Sequence, residues 1–358
     1  MNISINGYGA LCAAGPDPDA MVAAYRSGRS TWTVDPATGL PVYRIGALPD
    51  HPRIAAFTAA RTCDRAALLA LHAADQAITK AGWEGGDFAV LLGCSRGPTS
   101  SWEDSFRAYA AGAELPPRTS PRTTLGSLAF AVAEYFGSSG PSTGLSVTCS
   151  SGLHALYHGV ALLRAGLAER VLVGGTEAPL TGFTLRQLQA LRIYAKPTTG
   201  DQPPCRPFAN PATGMAVGEG AAFLALSRAN TAWSGPRLLA VAATRERAGT
   251  ATGISREGRG LQVAMRAVTE EGGVPKTIVA HAPGTQRGDA AELSAITAVF
   301  GPEPPPTISY KCSTGHTFGA SGPLALTAAL ADVQLAGPVL INATGFGGNV
   351  VSVLVNRG

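Results

Sequence analysis

Apolar runs of strand length alternate with amphipathic stretches of helix length along almost the whole chain, which restricts it to an α/β fold with buried sheets. The runs at 88–92, 145–148, 170–174, 221–226, 277–280, 307–311 and 339–343 are predicted strands. Stretches 65–80, 127–136, 153–165, 290–300 and 323–336 carry apolar residues at helical spacing and are predicted helices. Both 145–174 and 277–343 read as strand, turn, helix, strand, so two similar halves are expected, residues 1–230 and 231–358. Asn230, Ser234, Gly235 and Pro236 mark the connection between them, and the Pro- and Gly-rich segments 34–53 and 113–121 are expected as surface loops.

Only 15% of the 358 residues are charged against a typical ~25%, while 45% are apolar, so part of the surface is expected to be covered by a second subunit. The expected state is an obligate dimer. The first residues lack a basic stretch followed by a long apolar one, and no run of about 18 apolar residues follows, which predicts a cytoplasmic protein without a membrane span. Six scattered cysteines are expected as thiols, and neither CxxC nor HExxH offers a metal site. A net charge of +4 without clusters fits an acidic protein partner and argues against nucleic acid. The absence of GxGxxG and GxxxxGK[ST] argues against a nucleotide-binding enzyme.

The segment SVTCSSGLHALYHGVALLRAG carries the most chemistry, because an apolar strand ends at Thr148 and Cys149 opens a helix after a small-residue turn. A free thiol has a pKa of ~8.5, and a helix N-terminus stabilises its anion through the dipole and free N–H groups. The same turn frees the N–H of Cys149 for a developing oxyanion. A buried cysteine before a helix is more commonly a small hydrophobe, so the motif gains weight only with partners. Two further segments supply them: TIVAHAPGT with His281, and ISYKCSTGHTFGASG with Lys311 and His316. Finally, LINATGFGGNVVSVLV places Phe346 in a Gly-rich turn, 345–348, which lets backbone approach a ligand closely or closes a plain hairpin.

These four segments, in this order, resemble the β-ketoacyl synthase family, and the resemblance spans essentially the whole chain. TCSSGLH, with His154 five residues after Cys149, is similar to the elongating carrier-protein-dependent synthases; GGTEA at 174–178, CRPF at 205–208 and GEGAA at 218–222 are further landmarks. The resemblance implies a thiolase-like fold, two βαβαβ-type halves layered α/β/α/β/α. It implies that Cys149 is the acylated nucleophile, His281 and His316 the catalytic pair, and Lys311 the residue that orients and charges their site. Phe346 would be the gating phenylalanine, its N–H joining that of Cys149 in an oxyanion hole, with Gly347, Gly348 and Thr285 also at the substrate. No cofactor of its own is implied; phosphopantetheine is carried by the partner, an acyl carrier protein. Basic residues such as Arg61, Arg65, Arg192 and Lys196 are expected to dock that carrier.

The chain also departs from the family pattern. His281 is followed by Ala282-Pro283-Gly284-Thr285, so Pro283 replaces one pantetheine-binding threonine while Thr285 keeps the place of the other. Thr213 replaces an acidic residue, Ala325 a glutamate that the resemblance associates with a structural cation, and Thr344 an aromatic beside the gate. Arg96 occupies a place usually apolar at the floor of the acyl tunnel; either it is paired there, limiting the acyl group to short or polar ones, or its loop carries it to solvent. The leading reading is decarboxylative condensation of an acyl-Cys149 intermediate with malonyl-carrier protein. The alternatives are a chain-length-factor-like partner subunit, or an acyltransferase on the same fold. The dimer is expected to be homo- or heterodimeric.

Overall fold

A computed structural model of the chain describes residues 3–200, 202–228, 233–247, 249 and 253–358. Its main sheet has ten strands: β1 (Ile3–Cys12), β2 (Ala89–Gly93), β3 (Ser142–Leu145), β4 (Arg170–Glu177), β5 (Gly220–Arg228), β6 (Arg237–Arg245), β7 (Thr277–Val279), β8 (Thr307–Ile308), β9 (Val339–Gly345) and β10 (Asn349–Asn356). The helices that matter below are α1 (Pro18–Arg26), α2 (Arg65–Ala81), α3 (Thr99–Ala110), α4 (Ser127–Phe136), α5 (Ser151–Arg164), α6 (Gly182–Ala190), α7 (Arg259–Gly272), α8 (Gln286–Phe300) and α9 (Ser321–Ala331).

Strand order is β8-β7-β9-β10-β6 followed by β1-β5-β4-β2-β3. Counted within each half, both runs follow the same order, third-second-fourth-fifth-first. The directions agree as well: in each half the second strand is parallel to the third and fourth, and the fourth, fifth and first run antiparallel. The two runs join through a short antiparallel pairing, Ile3 with Leu238 and Ser4 with Arg237. Residues 142–177 therefore correspond to 307–343, while β7 and α8 answer to β2 and the helices after it, which shortens the second repeat expected from the sequence. The expected division after residue 230 lies outside the described residues.

The largest core holds apolar side chains from both runs of strands together with α5 and α9, which lie between them. Leu324, Leu326, Ala328, Ala329 and Leu330 are all buried, as suits a helix covered on every side. A second core packs α2 and α4 on the outer face of the first half, and a third packs α7 and α8 on the outer face of the second. This is the five-layered α/β/α/β/α arrangement of a thiolase-like fold.

Local chemistry explains both the elements predicted and those missed. Asp64 caps α2 by accepting the Ala66 N–H at 2.8 Å, and Gly82, in the left-handed region, ends it. Strand β1 escapes prediction because Gly7 and Gly9 interrupt its apolar pattern; a Cβ on Gly7 would stand 2.1 Å from the carbonyl of Ala77, so glycine is what lets α2 lie against the strand. The predicted strand at 307–311 stops at Ile308, because the Tyr310 carbonyl accepts the N–H groups of Ser313 and Thr314 and turns Lys311–Thr314 into a helical turn. Segment 34–53 is only partly surface: Val42 and Tyr43 are fully buried in a small sheet of Thr33–Val34, Pro41–Tyr43 and Val217–Gly218.

Arg65, expected at a docking surface, instead forms a bidentate pair with fully buried Glu219, Nε to Oε2 and Nη2 to Oε1, both at 2.7 Å. The same carboxylate accepts the Ile45 N–H at 2.9 Å, tying the segment ahead of β5 to that ahead of α2. Glu219→Ala should destabilise the protein by about 3 kcal/mol, the low end for a broken buried pair because Arg65 can still reach water. Denaturant unfolding of the two proteins measures it, and a loss below 1 kcal/mol would contradict the assignment.

Candidate active site

A cavity of about 1000 Å³ is lined by Cys149, His281, Thr285, His316, Phe346 and Gly348, which brings most of the sequence-predicted residues to one place. Lys311 lies behind its wall, buried, and Gly347 falls just off it. Arg192 and Arg287, both exposed, stand at its mouth. Arg96 is not in the wall: its guanidinium is exposed and donates to Oε1 of Gln187 on α6.

Cys149 sits where the chain passes from β3 to α5, and Thr148 before it has φ +52, a conformation unfavourable to a β-branched residue. The turn is held by Thr148 Oγ1 donating to the Phe346 carbonyl at 3.2 Å, and by Ser151 Oγ accepting the Val147 N–H at 2.8 Å. The turn after β9 comes equally close, since a Cβ on Gly345 would stand 2.2 Å from Thr148 Oγ1. Around Cys149 pack Leu185, Leu188, Met215, Val217 and Phe318.

His281 follows β7, and its backbone is gripped from both sides. Glu292 Oε1 accepts its N–H at 2.9 Å, Oε2 accepts that of Ala282 at 2.7 Å, and Lys311 Nζ donates to its carbonyl. Asn342 Nδ2 donates to Glu292 Oε1 at 3.1 Å. His316 precedes α9, its Nδ1 3.0 Å from Ser321 Oγ, and the two imidazoles meet edge to face at 5.2 Å between centroids. The lysine's hydrogen bond is thus to His281, and it reaches His316 through its charge alone. Asp289 accepts the N–H groups of Gly284 and Phe208 at 3.0 and 2.7 Å, which shapes the 281–285 turn despite Pro283. Thr213, in place of an acid, still accepts the Arg206 N–H at 2.9 Å.

Burial lowers both imidazoles well below their ordinary range, with the Lys311 charge adding to it, so both rings are neutral. Burial likewise lowers Lys311, opposed first by Glu292. For Cys149, burial pushes the thiol up to about 12, the Glu177 carboxylate adds to this, and Lys311 only partly opposes it. The resting thiol is thus raised where the helix N-terminus was expected to lower it, with desolvation of the thiolate the largest cause.

The sequence reading missed Glu292, Ser321 and Asn342. Glu292 had a signal: it stands one helical turn beyond Asp289 on α8, on the face turned to His281. Beside Ala325 lies a void of about 10 Å³ bounded by Ser309, Tyr310 and Lys311, with no carboxylate in its wall. An ammonium with no anionic ligand does not fit a structural cation there.

If burial governs Cys149, its alkylation by iodoacetamide at pH 7.5 should be at least ~100-fold slower than that of a free thiol and rise about tenfold per pH unit up to pH 10. Lys311→Met should slow it further by removing the cation. Peptide mass spectrometry, with half-buried Cys63 and Cys312 as internal references, reads these rates; a plateau below pH 8 would refute the assignment.

The family model described as "Beta-ketoacyl synthase, N-terminal domain" matches residues 2–232, and "Beta-ketoacyl synthase, C-terminal domain" matches 237–336. Nodulation protein E of Rhizobium sp. (strain N33) is 29% identical over 93% of this chain and 86% of its own length. The tetracenomycin polyketide synthase ketoacyl synthase alpha subunit of Streptomyces glaucescens is 30% identical over 75% of this chain and 68% of its own. Among solved structures, the AntDE:AntF complex, a type II polyketide synthase acyl-carrier protein with its ketosynthase, superposes with a TM-score of 0.85 at 19% identity, covering 100% of this chain and 99% of that one.

Proposed function

The chain belongs to the β-ketoacyl synthase family, and from that premise we propose that Cys149, His281 and His316 perform a decarboxylative condensation, with Lys311 fixing and charging their site. The observation that carries it is the convergence of one buried thiol and two neutral imidazoles on a single cavity open to solvent. Cys149 sulfur attacks the thioester carbonyl of an incoming acyl group; the new C–S bond forms, the pantetheine C–S bond breaks, and the thiol proton goes to the departing thiolate. A malonyl thioester then loses CO₂, its electron pair passing into an enolate. The enolate carbon attacks the acyl-Cys149 carbonyl, the C–S bond breaks as the 3-oxoacyl product forms, and the departing thiolate takes a proton from solvent to restore the thiol.

The imidazoles are suited to hold the enolate oxygen. Ser321 Oγ accepts the Thr317 N–H at 3.0 Å, and a hydroxyl proton directed to His316 Nδ1 would leave the ring proton on Nε2, facing the cavity. One such donor is typically worth ~3 kcal/mol in the transition state. The N–H groups of Cys149 and Phe346 are the proposed pair for the acyl oxyanion. Cys149→Ala should abolish acylation by a thioester donor and lower condensation by at least 10³-fold, read by intact mass and product formation. Acylated Cys149 without condensation would leave an acyltransferase instead.

For partners we propose an acyl carrier protein, whose pantetheine enters the cavity, and a second ketosynthase-like subunit; the chain needs no cofactor of its own. The unpaired edge of β3, the stacked Trp102 and Phe106 on α3, and exposed Phe130 on α4 give a second subunit an apolar surface. Six free thiols fit a reducing, cytoplasmic setting. Of the basic residues named for carrier docking, Arg61 is held by Glu134 and Arg65 by Glu219, which leaves Arg192 and Lys196, joined by Arg287 at the mouth. Arg192→Glu with Arg287→Glu should raise KM for an acidic carrier at least tenfold at low salt and leave turnover of a free pantetheine thioester unchanged. Equal losses with both substrates would remove these arginines from docking.

A further inference from the structure

Glu177 ends β4 with its side chain wholly buried, and its field on the Cys149 thiol is the one effect of it described so far. One oxygen, Oε1, accepts the backbone N–H groups of Ser95, of Arg96 at 3.3 Å and of Gly319 at 3.3 Å. The other, Oε2, is enclosed without a nitrogen or oxygen partner, and the Cys94 thiol is the side chain that reaches the carboxyl. Ser95 and Arg96 belong to the connection from β2 to α3 in the first half, whereas Gly319 follows His316 by three residues in the second. One carboxylate oxygen therefore joins two loops far apart in sequence. Gly319 makes the room, since a Cβ there would stand 3.0 Å from Oε1 and 3.0 Å from the Ser95 nitrogen. Phe318 beside it has φ +41, lies 5.0 Å from the His316 ring between centroids, and packs in the same apolar cluster as Cys149.

We infer that Glu177 is a positioning residue whose ionised carboxylate clips the Ser95–Arg96 loop to the Phe318–Ala320 turn, and so holds the His316 ring and the floor beneath Cys149 in register. Only its effect on turnover rests on the proposed condensation chemistry; the clip itself is a property of the fold.

Burial pushes the Glu177 carboxyl up to about 7, against the pull of the Ser95 and Gly319 N–H groups, the Cys94 thiol and the Arg96 N–H. The titratable groups facing it are Cys94 at the end of β2 and Cys149 ahead of α5, both thiols raised by burial and therefore uncharged, while the Arg96 guanidinium is turned away to Gln187. A neutral carboxyl accepts N–H groups more weakly than a carboxylate, so the clip loosens as pH falls through about 7. Global stability moves the opposite way. A folded-state value raised above the ordinary 4.5 means that protonation favours the folded protein, so stability rises as pH drops from 7 toward 4.5. Local loosening and global unfolding are thereby separable.

Hydrogen exchange of the wild type, Glu177→Gln and Glu177→Ala between pH 6 and 8.5, corrected for intrinsic rates, tests the clip on peptides covering 94–97 and 317–320. Wild-type protection at both is expected to fall at least tenfold from pH 8 to 6 while the strands keep theirs. Glu177→Gln, whose amide oxygen still accepts, should hold its protection constant with pH. Glu177→Ala should lack it throughout and lose at least tenfold in kcat with KM changed less than threefold. Wild-type protection independent of pH, or protection in Glu177→Ala equal to wild type, would overturn the inference. Because exchange is read without turnover, a protein that clips as expected and yet fails to condense would count against the proposed function alone.

Discussion

The buried ammonium of Lys311 is the constraint around which the site is organised. An isolated charge in an apolar interior is very unfavourable, so the chain must supply compensation at close range. It does so without a direct ion pair among the described residues: Nζ donates to the His281 carbonyl, and Glu292 and Asp289 act through their fields. Glu292 in turn spends its oxygens on the N–H groups of His281 and Ala282 and on Asn342. The two charges therefore neutralise each other across the His281 backbone, which fixes that backbone from both sides. The same cation adds to the burial that keeps the two imidazoles neutral, and it is the main group favouring a thiolate at Cys149.

The fold makes such convergence possible by running one topology twice. In each half the connection from the third strand to the central helix opens at the same end of the parallel strands, where open α/β sheets generally bind ligands. The first half puts Cys149 in that connection, and the second puts Lys311 and His316 there. The connection after the second strand carries the Ser95–Arg96 loop in one half and His281 in the other. Packing α5 against α9 between the two runs of strands then brings residues separated by more than a hundred positions to the walls of one cavity. The insertion between β4 and β5, which has no counterpart in the tight turn from β9 to β10, supplies the remaining wall through Leu188, Arg192 and Met215.

Much of this was legible in the sequence because the site lies in the punctuation of the fold, where strand patterns break into small residues. The Thr148–Cys149–Ser150 turn, the His281 turn and the Lys311–His316 segment are all such breaks. Strands β1 and β6 and helix α7 were not legible as elements, and for β1 the cause is specific: glycines required by close helix packing erase the alternation that marks a strand. Charge was misread at Arg65 for a related reason. A basic residue at the start of a helix looks exposed until the distant Glu219 is placed beside it. Arg96 likewise lies on a loop whose course is set by Glu177, some eighty positions away, a contact that no local pattern announces.

The thiol's own environment bears on how the proposed cycle runs. With Cys149 raised to about 12, the thiolate fraction at neutral pH is on the order of 10⁻⁵, and imidazoles held neutral by burial and a nearby cation are weak bases for it. A standing thiolate is therefore not what attacks. The proton must leave as the sulfur–carbon bond forms, passing to the departing pantetheine sulfur, whose ordinary thiol range makes it the better acceptor. In the second half-reaction the order reverses: sulfur is expelled as an anion into a pocket where Lys311 is the main opposing charge. In the proposed cycle the burial that raises the Cys149 thiol thus places the demand for the cation on the condensation step, where the enolate oxygen and the departing sulfur bring negative charge toward the same ammonium.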